Sequence, residues 1–244
     1  MAVPDLVRRV SASVTVLAAL FSGSAIAGDS AQFDAIGYSP DGRYFAFEQF
    51  GIQDGSGFAY SEIFIIDLQT DSFVAGAPFR ERIDDEMSAL GEARALALRT
   101  ASGALADLDI VRPALPLALR GDGEHDDGLS ISYGIPSYGL AQTQGAFTLD
   151  LDIFKAPSRF DCALFEGDPM GFALYRESEG RQEIYRDDHV PASRHCVITY
   201  KFYGVFNPFN ALDDSASVAV LSVWSHGFEG PDRRFIAVPV GTGD

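Results

Sequence analysis

The acidic stretch at residues 121–128 has the composition closest to a metal site. It reads Gly-Asp-Gly-Glu-His-Asp-Asp-Gly, and alternating oxygen ligands of this kind suit calcium. A calcium-binding EF-hand loop, however, needs glycine where Asp127 stands and a bidentate glutamate where Tyr133 stands. We therefore interpret the stretch as a solvated acidic loop, with a weak calcium site as the alternative.

The remaining histidines and acids match no known catalytic or zinc-binding pattern. The chain contains neither the His-Glu-x-x-His spacing of zinc proteases nor the Gly-x-Ser-x-Gly turn of serine hydrolases. The glycine-rich segment 51–57 lacks the Gly-Lys-Ser/Thr ending of a phosphate-binding loop, so it reads as a hairpin loop. Asp187, Asp188, His189 and His195 flank one region that we interpret as a polar turn. We assign no catalytic residue, metal ligand or cofactor, although a site built from scattered residues stays open.

Cys162 and Cys196 are the two cysteines of the chain. Neither belongs to a Cys-x-x-Cys redox motif, and a cysteine pair in an exported protein is usually a structural disulfide. We predict one intramolecular disulfide, which the chain-entropy model values at roughly 3–4 kcal/mol.

The first 27 residues predict export. Arg8 and Arg9 precede the apolar run Val10–Phe21, and Ser24-Ala25-Ile26-Ala27 offers the small side chains that signal peptidase accepts. The apolar run is too short for a transmembrane helix, which needs roughly 20 residues. We predict a signal peptide at 1–27 and a single domain at 28–244 with no later membrane-spanning segment.

The formal net charge of −17 argues against two classes of partner. Nucleic acids and anionic lipid surfaces are both bound through clustered lysine and arginine. We therefore expect no nucleic-acid partner and interpret the charge mainly as a solubility feature.

Turn signals alternate with short apolar runs along most of the chain, which predicts a mainly β fold of antiparallel hairpins or sheets, sandwich-like or blade-like. One segment differs: residues 84–108 are rich in helix formers. Met87, Leu90, Ala97, Leu98, Ala101, Leu105 and Leu108 recur there at helical spacing. We predict one amphipathic helix, with Asp84, Asp85 and Glu86 at its N-terminal end. The predicted strands are 43–50, 62–68, 129–133, 146–154, 171–176, 197–206, 217–224 and 234–240.

Two of the predicted hairpins resemble each other. Tyr44–Leu68 and Val218–Val240 both read strand, aromatic glycine-containing loop, strand. Exposed aromatic residues dominate many binding surfaces, so the loop residues are candidates for one shared surface, with filling of the core ends as the alternative. The candidates are Phe50, Phe58, Tyr60, Trp224, Phe228, Arg233 and Arg234.

Four stretches carry a resemblance to a known family. They are 41–58, Asp67-Leu68, 186–196 and 227–235. In these stretches the chain resembles a bacterial family of predicted secreted proteins that is known only as a domain of unknown function. Residues 39–47 and 65–70 also resemble parts of a TolB-type β-propeller blade. The family resemblance implies a secreted or periplasmic protein and implies no activity.

We therefore expect a non-enzymatic periplasmic or secreted domain that binds a partner protein or an envelope component. A hydrolase with a scattered active site is the alternative. A cleft holding a titratable group with a strongly shifted pKa would favour the enzyme, and an aromatic patch would favour binding.

Overall fold

The computed structural model describes residues 28–121, 126–137, 139, 142–165, 167–177 and 180–241. These residues form thirteen β-strands, one α-helix and one short 3-10 turn. The elements in chain order are β1 Gln32–Tyr38, β2 Tyr44–Ile52, β3 Ala59–Asp67, β4 Ser72–Phe73, β5 Phe79–Ile83, α1 Leu90–Asp107, β6 Ala114–Leu119, β7 Ser130–Pro136, β8 Thr143–Lys155, β9 Met170–Glu177, β10 Arg181–Arg186, the 3-10 turn Ala192–Arg194, β11 Val197–Pro208, β12 Val218–His226 and β13 Pro231–Pro239.

The strands form three antiparallel sheets. Sheet 1 has the order β1-β2-β3, with β4 and β5 both paired along the far edge of β3. Sheet 2 has the order β13-β12-β11-β6, and sheet 3 the order β10-β9-β8-β7. The prediction of a mainly β fold with antiparallel sheets and one helix is confirmed.

Sheet 2 is the middle layer, because its two faces belong to two different cores. On β12, Val218 and Val220 pack with sheet 1, whereas Ala219, Leu221 and Val223 pack with sheet 3. Successive side chains of a strand point to opposite faces. A strand buried on both faces therefore reads as an unbroken apolar run, as residues 218–221 do.

The helix covers the outer face of sheet 1 through its small residues. Ala97 and Ala101 pack against Ile63 and Ile65. Asp84–Glu86 lie before the helix rather than in its first turn, because the Asp85 side chain accepts the Met87 backbone N–H at 3.0 Å and forms a turn instead.

The prediction that Met87 and Leu98 lie on the packed face of the helix was wrong. Met87 is 85% exposed and Leu98 is 41% exposed. The buried face consists of Ala93, Ala97 and Ala101, whose small side chains let the helix approach the sheet closely.

A buried ion pair fixes the helix in place. Arg94 Nη2 lies 2.7 Å from Glu48 Oε2, and the Glu48 side chain is 2% exposed. Ser61 donates a further hydrogen bond to Glu48 at 2.7 Å. Arg94 and Ser61 both bind the Glu48 carboxylate, and these contacts offset the cost of burying this side chain at the helix–sheet interface.

Candidate functional site

A cleft of about 750 Å³ lies beside β13 in the described part of the chain. Strand β13 is the edge of sheet 2, and residues 234–238 form the cleft floor. Sheet 1 supplies one side, which we call the apolar wall: Phe47, Phe64, Ile66 and Phe73. The other side, which we call the polar wall, comprises Tyr185, Pro191, Ser193, Arg194 and His195.

The apolar wall is a stack of aromatic rings. Phe47 and Phe64 are cross-strand partners on β2 and β3, and their ring centroids lie 4.8 Å apart with an interplanar angle of 5°. Phe73 follows at 5.6 Å from Phe64 and is 54% exposed. The stack therefore leads from the buried core to the mouth of the cleft, where Phe73 presents an apolar face to solvent.

The polar wall is organised around Arg194. Its Nη1 donates to both carboxylate oxygens of Asp187, at 3.0 and 2.9 Å, and the Asp187 side chain is 1% exposed. Tyr185 donates to Asp187 at 2.7 Å. Burial lowers the pKa of Arg194, but the facing Tyr200 and Asp187 outweigh burial and raise that pKa. Arg194 thus remains a fixed cation.

A disulfide holds the end of the polar wall. The structure joins Cys162 and Cys196, with an Sγ–Sγ distance of 2.03 Å. His195, which precedes Cys196, has φ 55° in the left-handed region that β-carbon-bearing residues seldom adopt. Its ring meets Phe160 edge-on at 4.9 Å. The bend that carries Arg194 into β11 is therefore fixed both covalently and by packing.

The cleft charges are balanced. Arg80 pairs with Glu62 at 2.6 Å, Arg234 with Asp29 at 2.5 Å, and Arg194 with Asp187. The cations of the lining are Arg80, Arg194 and Arg234, and its carboxylates are Glu62, Asp71 and Asp232. In a protein of net charge −17, this cleft is a nearly neutral, mostly apolar region.

Asp71 is a titratable residue of the cleft lining with a shifted pKa. Desolvation raises its pKa, and Arg194 offsets part of that rise. Asp71 is nevertheless solvent-exposed by surface area, and exposure limits how far surrounding groups can perturb a carboxylate. The raised pKa of Asp71 is therefore no evidence for a catalytic carboxylate.

The two similar hairpins do meet at their loops. The Glu229 backbone N–H donates to Asp54 at 3.3 Å, and Phe228 packs near Gly55 while staying 85% exposed. Phe50 and Phe58 are half-buried. They lie beneath arginine side chains, Arg94 at 3.8 Å and Arg82 at 5.8 Å from the respective ring centroids.

Tyr60, Arg233 and Arg234 hold the segment that precedes β1. Tyr60 donates to Asp29 Oδ1 at 2.8 Å, and Arg234 Nη2 lies 2.5 Å from Asp29 Oδ2. Arg233 Nη2 donates to the Ala31 carbonyl at 2.9 Å. Desolvation raises the pKa of Asp29, partly offset by Arg234.

The seven predicted surface residues therefore do not form one exposed surface. Tyr60 and Arg233 are buried, and Trp224 is half-buried with Arg233 stacked at 5.5 Å. Phe228 is the strongly exposed member, and Arg234 is the one that lines the cleft. Their role in binding remains a prediction.

The predicted calcium loop lies largely outside the described residues, since residues 122–125 are not described. Of its described carboxylates, Asp126 pairs with Arg120, and Asp127 accepts the Leu129 backbone N–H at 3.0 Å. Within the described ranges no group of three or more His, Cys, Asp or Glu side chains is placed to hold a metal ion. The predicted signal peptide, residues 1–27, also lies outside the described residues.

A family model described as "Predicted secreted protein (DUF2259)" matches residues 46–241. The chain belongs to this family. The family resemblance seen in the sequence is thereby confirmed, as is the periplasmic or secreted localisation that it implied. No curated protein and no solved structure matches the chain. In the part of the chain that the structure describes, no helix has the length and apolar character needed to cross a bilayer.

Sequence reasoning missed the cleft itself. Phe64 and Phe73 are separated in the sequence by the β3–β4 turn, and nothing in their local pattern marks them as a wall. Arg194 lies in one of the four stretches that resemble the family, but it belongs to no recognisable functional pattern. The one usable signal was the alternation of Phe45 and Phe47 on β2, which placed both rings on one face.

Proposed function

We propose that this protein is a periplasmic or secreted binding domain whose cleft beside β13 receives an apolar part of a partner. The observation that carries the proposal is the open cleft of about 750 Å³ with an aromatic wall that ends in exposed Phe73. Pockets of this size with apolar walls and a few placed polar groups are typical ligand sites.

Binding is favoured over hydrolysis by the partners of the polar groups. The cleft arginines are each committed to a carboxylate. Among the described residues, no hydrogen bond joins His195 to a serine or a carboxylate, whereas a nucleophile and its base normally lie within hydrogen-bond reach. The polar wall therefore serves to shape the cleft.

Site-specific photo-crosslinking tests the proposal. Benzoyl-phenylalanine placed at Phe73 should form a discrete adduct with an envelope component in intact cells, because this ring lies at the cleft mouth. The same probe at Met87, which is 85% exposed on the helix side, serves as the control and should form none.

A third probe position separates the cleft from the hairpin surface. Phe228 is as exposed as Met87 and belongs to the hairpin loops. An adduct from Phe228 but not from Phe73 would contradict binding in the cleft and support the hairpin loops instead.

A further inference from the structure

The pairing register shows which residues of β13 turn their backbone N–H and C=O toward β12 and which turn them away from it. Strand β13 pairs with β12 from Pro231 to Pro239 without a bulge. In an antiparallel pair, alternate residues turn their N–H and C=O away from the partner strand. Arg233 is such a residue: its N–H donates to the Asp29 carbonyl at 2.8 Å, and its C=O accepts the Ala31 N–H at 3.2 Å.

The next two outward residues differ from Arg233. Phe235 donates its N–H to the side chain of Gln49 at 2.8 Å. Ala237 follows at the same alternation, and its N–H and C=O point into the cleft. Among the described residues neither group has a hydrogen-bond partner on that side. Pro239 has no N–H, so the open stretch of edge ends there.

The protein's own chain shows that this edge accepts a strand. Ser30 forms a parallel bridge with Arg233, after which the chain leaves β13 and enters sheet 1 as β1. Among the described residues, the edge is therefore occupied by backbone at Arg233 and by the Gln49 side chain at Phe235, whereas the outward groups of Ala237 have no hydrogen-bond partner. A strand edge with unpaired groups is a template for another strand.

The surroundings of Ala237 indicate the chemistry of an added strand. Side chains on one face of that strand would meet the apolar wall, and those on the other would meet Tyr185 and Pro191. The apolar wall favours apolar side chains on one face of the added strand, and the balanced charges of the lining favour uncharged side chains on the other.

We propose that β13 binds an extended, uncharged peptide segment of another polypeptide, which pairs with the backbone of Ala237 as an added strand of sheet 2. The proposal rests on the proposed function and specifies its ligand class. An acyl chain would leave the Ala237 groups unpaired. A second copy of this chain would bring together two molecules of net charge −17, which is unfavourable.

The probe is a short capped peptide of alternating valine and threonine, labelled with fluorescein, and binding is measured by fluorescence anisotropy on the oxidised protein. We expect saturable binding. Ala237→Pro removes only an outward N–H from an edge strand, where proline is tolerated. It should weaken binding about tenfold, as loss of one buried hydrogen bond predicts. The matched control Ala237→Ser keeps the N–H and should change binding less than about twofold.

A second arm needs no protein variant. The same peptide with its central amide nitrogens methylated keeps its side chains but cannot donate to Ala237. It should bind at least about tenfold more weakly to the wild-type protein. This arm decides the matter even if Ala237→Pro fails to fold.

Three results would overturn the strand pairing. The methylated and unmethylated peptides could bind equally, the unmethylated peptide could fail to bind at all, or the protein could form dimers that Ala237→Pro abolishes. Equal binding that is lost in Phe73→Asp would leave the cleft intact as a binding site. Absence of the Phe73 crosslink, in contrast, would remove the proposed function itself.

Discussion

The two walls of the cleft are built from opposite kinds of interaction. The apolar wall is a cross-strand aromatic stack whose inner members are buried and whose outer member, Phe73, is exposed. The polar wall contains a short 3-10 turn held by a buried ion pair and a disulfide. One wall is positioned by sheet register, and the other by a few strong individual bonds.

This difference predicts how strongly each wall responds to the loss of one side chain. Loss of one ring from a packed stack leaves the surrounding sheet in place, so damage to the apolar wall stays local. Loss of one partner from the polar wall leaves a charge buried without compensation, which is among the costliest changes in a protein. We therefore expect the polar wall to be the more sensitive of the two.

The largest effect is expected for Asp187→Asn. Arg194 would keep its hydrogen-bonding neighbours but lose its buried counter-charge, and breaking a buried pair from one side costs about 3–5 kcal/mol. Urea denaturation measures the free energy of unfolding. Asp188→Asn, one position along and exposed, is the control and should shift it by less than about 0.5 kcal/mol. Similar shifts for both variants would contradict the ion-pair account of the polar wall.

Removal of the disulfide comes next. Cys162→Ser combined with Cys196→Ser opens a loop spanning 34 positions, which should lower the free energy of unfolding by about 3–4 kcal/mol. Thermal unfolding of the oxidised and variant proteins makes the comparison. Two free thiols per chain in the unfolded, unreduced wild-type protein would show that the disulfide does not form.

On the apolar wall, Phe64→Ala should cost about 3 kcal/mol, the low end for a phenylalanine truncation, because the new space opens toward the cleft and can fill with water. Phe73→Ala is the matched control. Since Phe73 is 54% exposed, we expect a loss below about 1 kcal/mol. Equal losses at both positions would mean that the stack is not the support of this wall.

The smallest effect is a pH dependence in the polar wall. Burial raises the pKa of Tyr200 to about 12, although Arg194 offsets part of the rise. Because the unfolded value is about 10, this stabilisation is present below pH 10 and is lost as the pH rises through 12. The loss amounts to between about 2 and 3 kcal/mol, because each of the two pKa units corresponds to 1.36 kcal/mol.

The contribution of Tyr200 at alkaline pH must be measured as a difference between the wild-type protein and Tyr200→Phe. Burial also raises the pKa values of Tyr38, Tyr60 and Tyr133, so the wild-type protein has several contributions to its alkaline slope. Tyr200→Phe should make the free energy of unfolding fall less steeply between pH 10 and 12. Identical slopes for the two proteins would show that Tyr200 ionises as easily when folded as when unfolded.

The sequence predicted every central strand but missed five strands at sheet edges, β1, β4, β5, β6 and β10. Strands β11 and β12 are buried and strongly apolar, so their runs stand out. Strands β5 and β10 carry alternating charges that face solvent, and β6 contains Pro116 in its middle. Polar side chains and proline are how edge strands avoid unwanted pairing, and the same features hide them from a search for apolar runs.

The cleft could not be predicted because it depends on sheet order. Phe47 faces Phe64 only through the β2–β3 register. The open edge at Ala237 exists because β13 is the last strand of sheet 2. Neither the β2–β3 register nor the position of β13 in its sheet can be recognised from a local sequence pattern. The aromatic loop residues were visible in the sequence, but Tyr60 is bound by Asp29, which belongs to a segment that showed no pattern of its own.

The contacts of the segment around Asp29 determine when sheet 1 can pack against sheet 2 as the chain emerges. Asp29 lies 205 positions before Arg234, yet these two side chains form an ion pair, and Ala31 is held by Arg233 across 202 positions. A chain that is delivered from its amino end therefore presents Asp29 and Ala31 long before their partners on β13 arrive. Closure of sheet 1 against sheet 2 must wait for nearly the full length of the chain, so a translation product truncated before β13 cannot seal its own beginning.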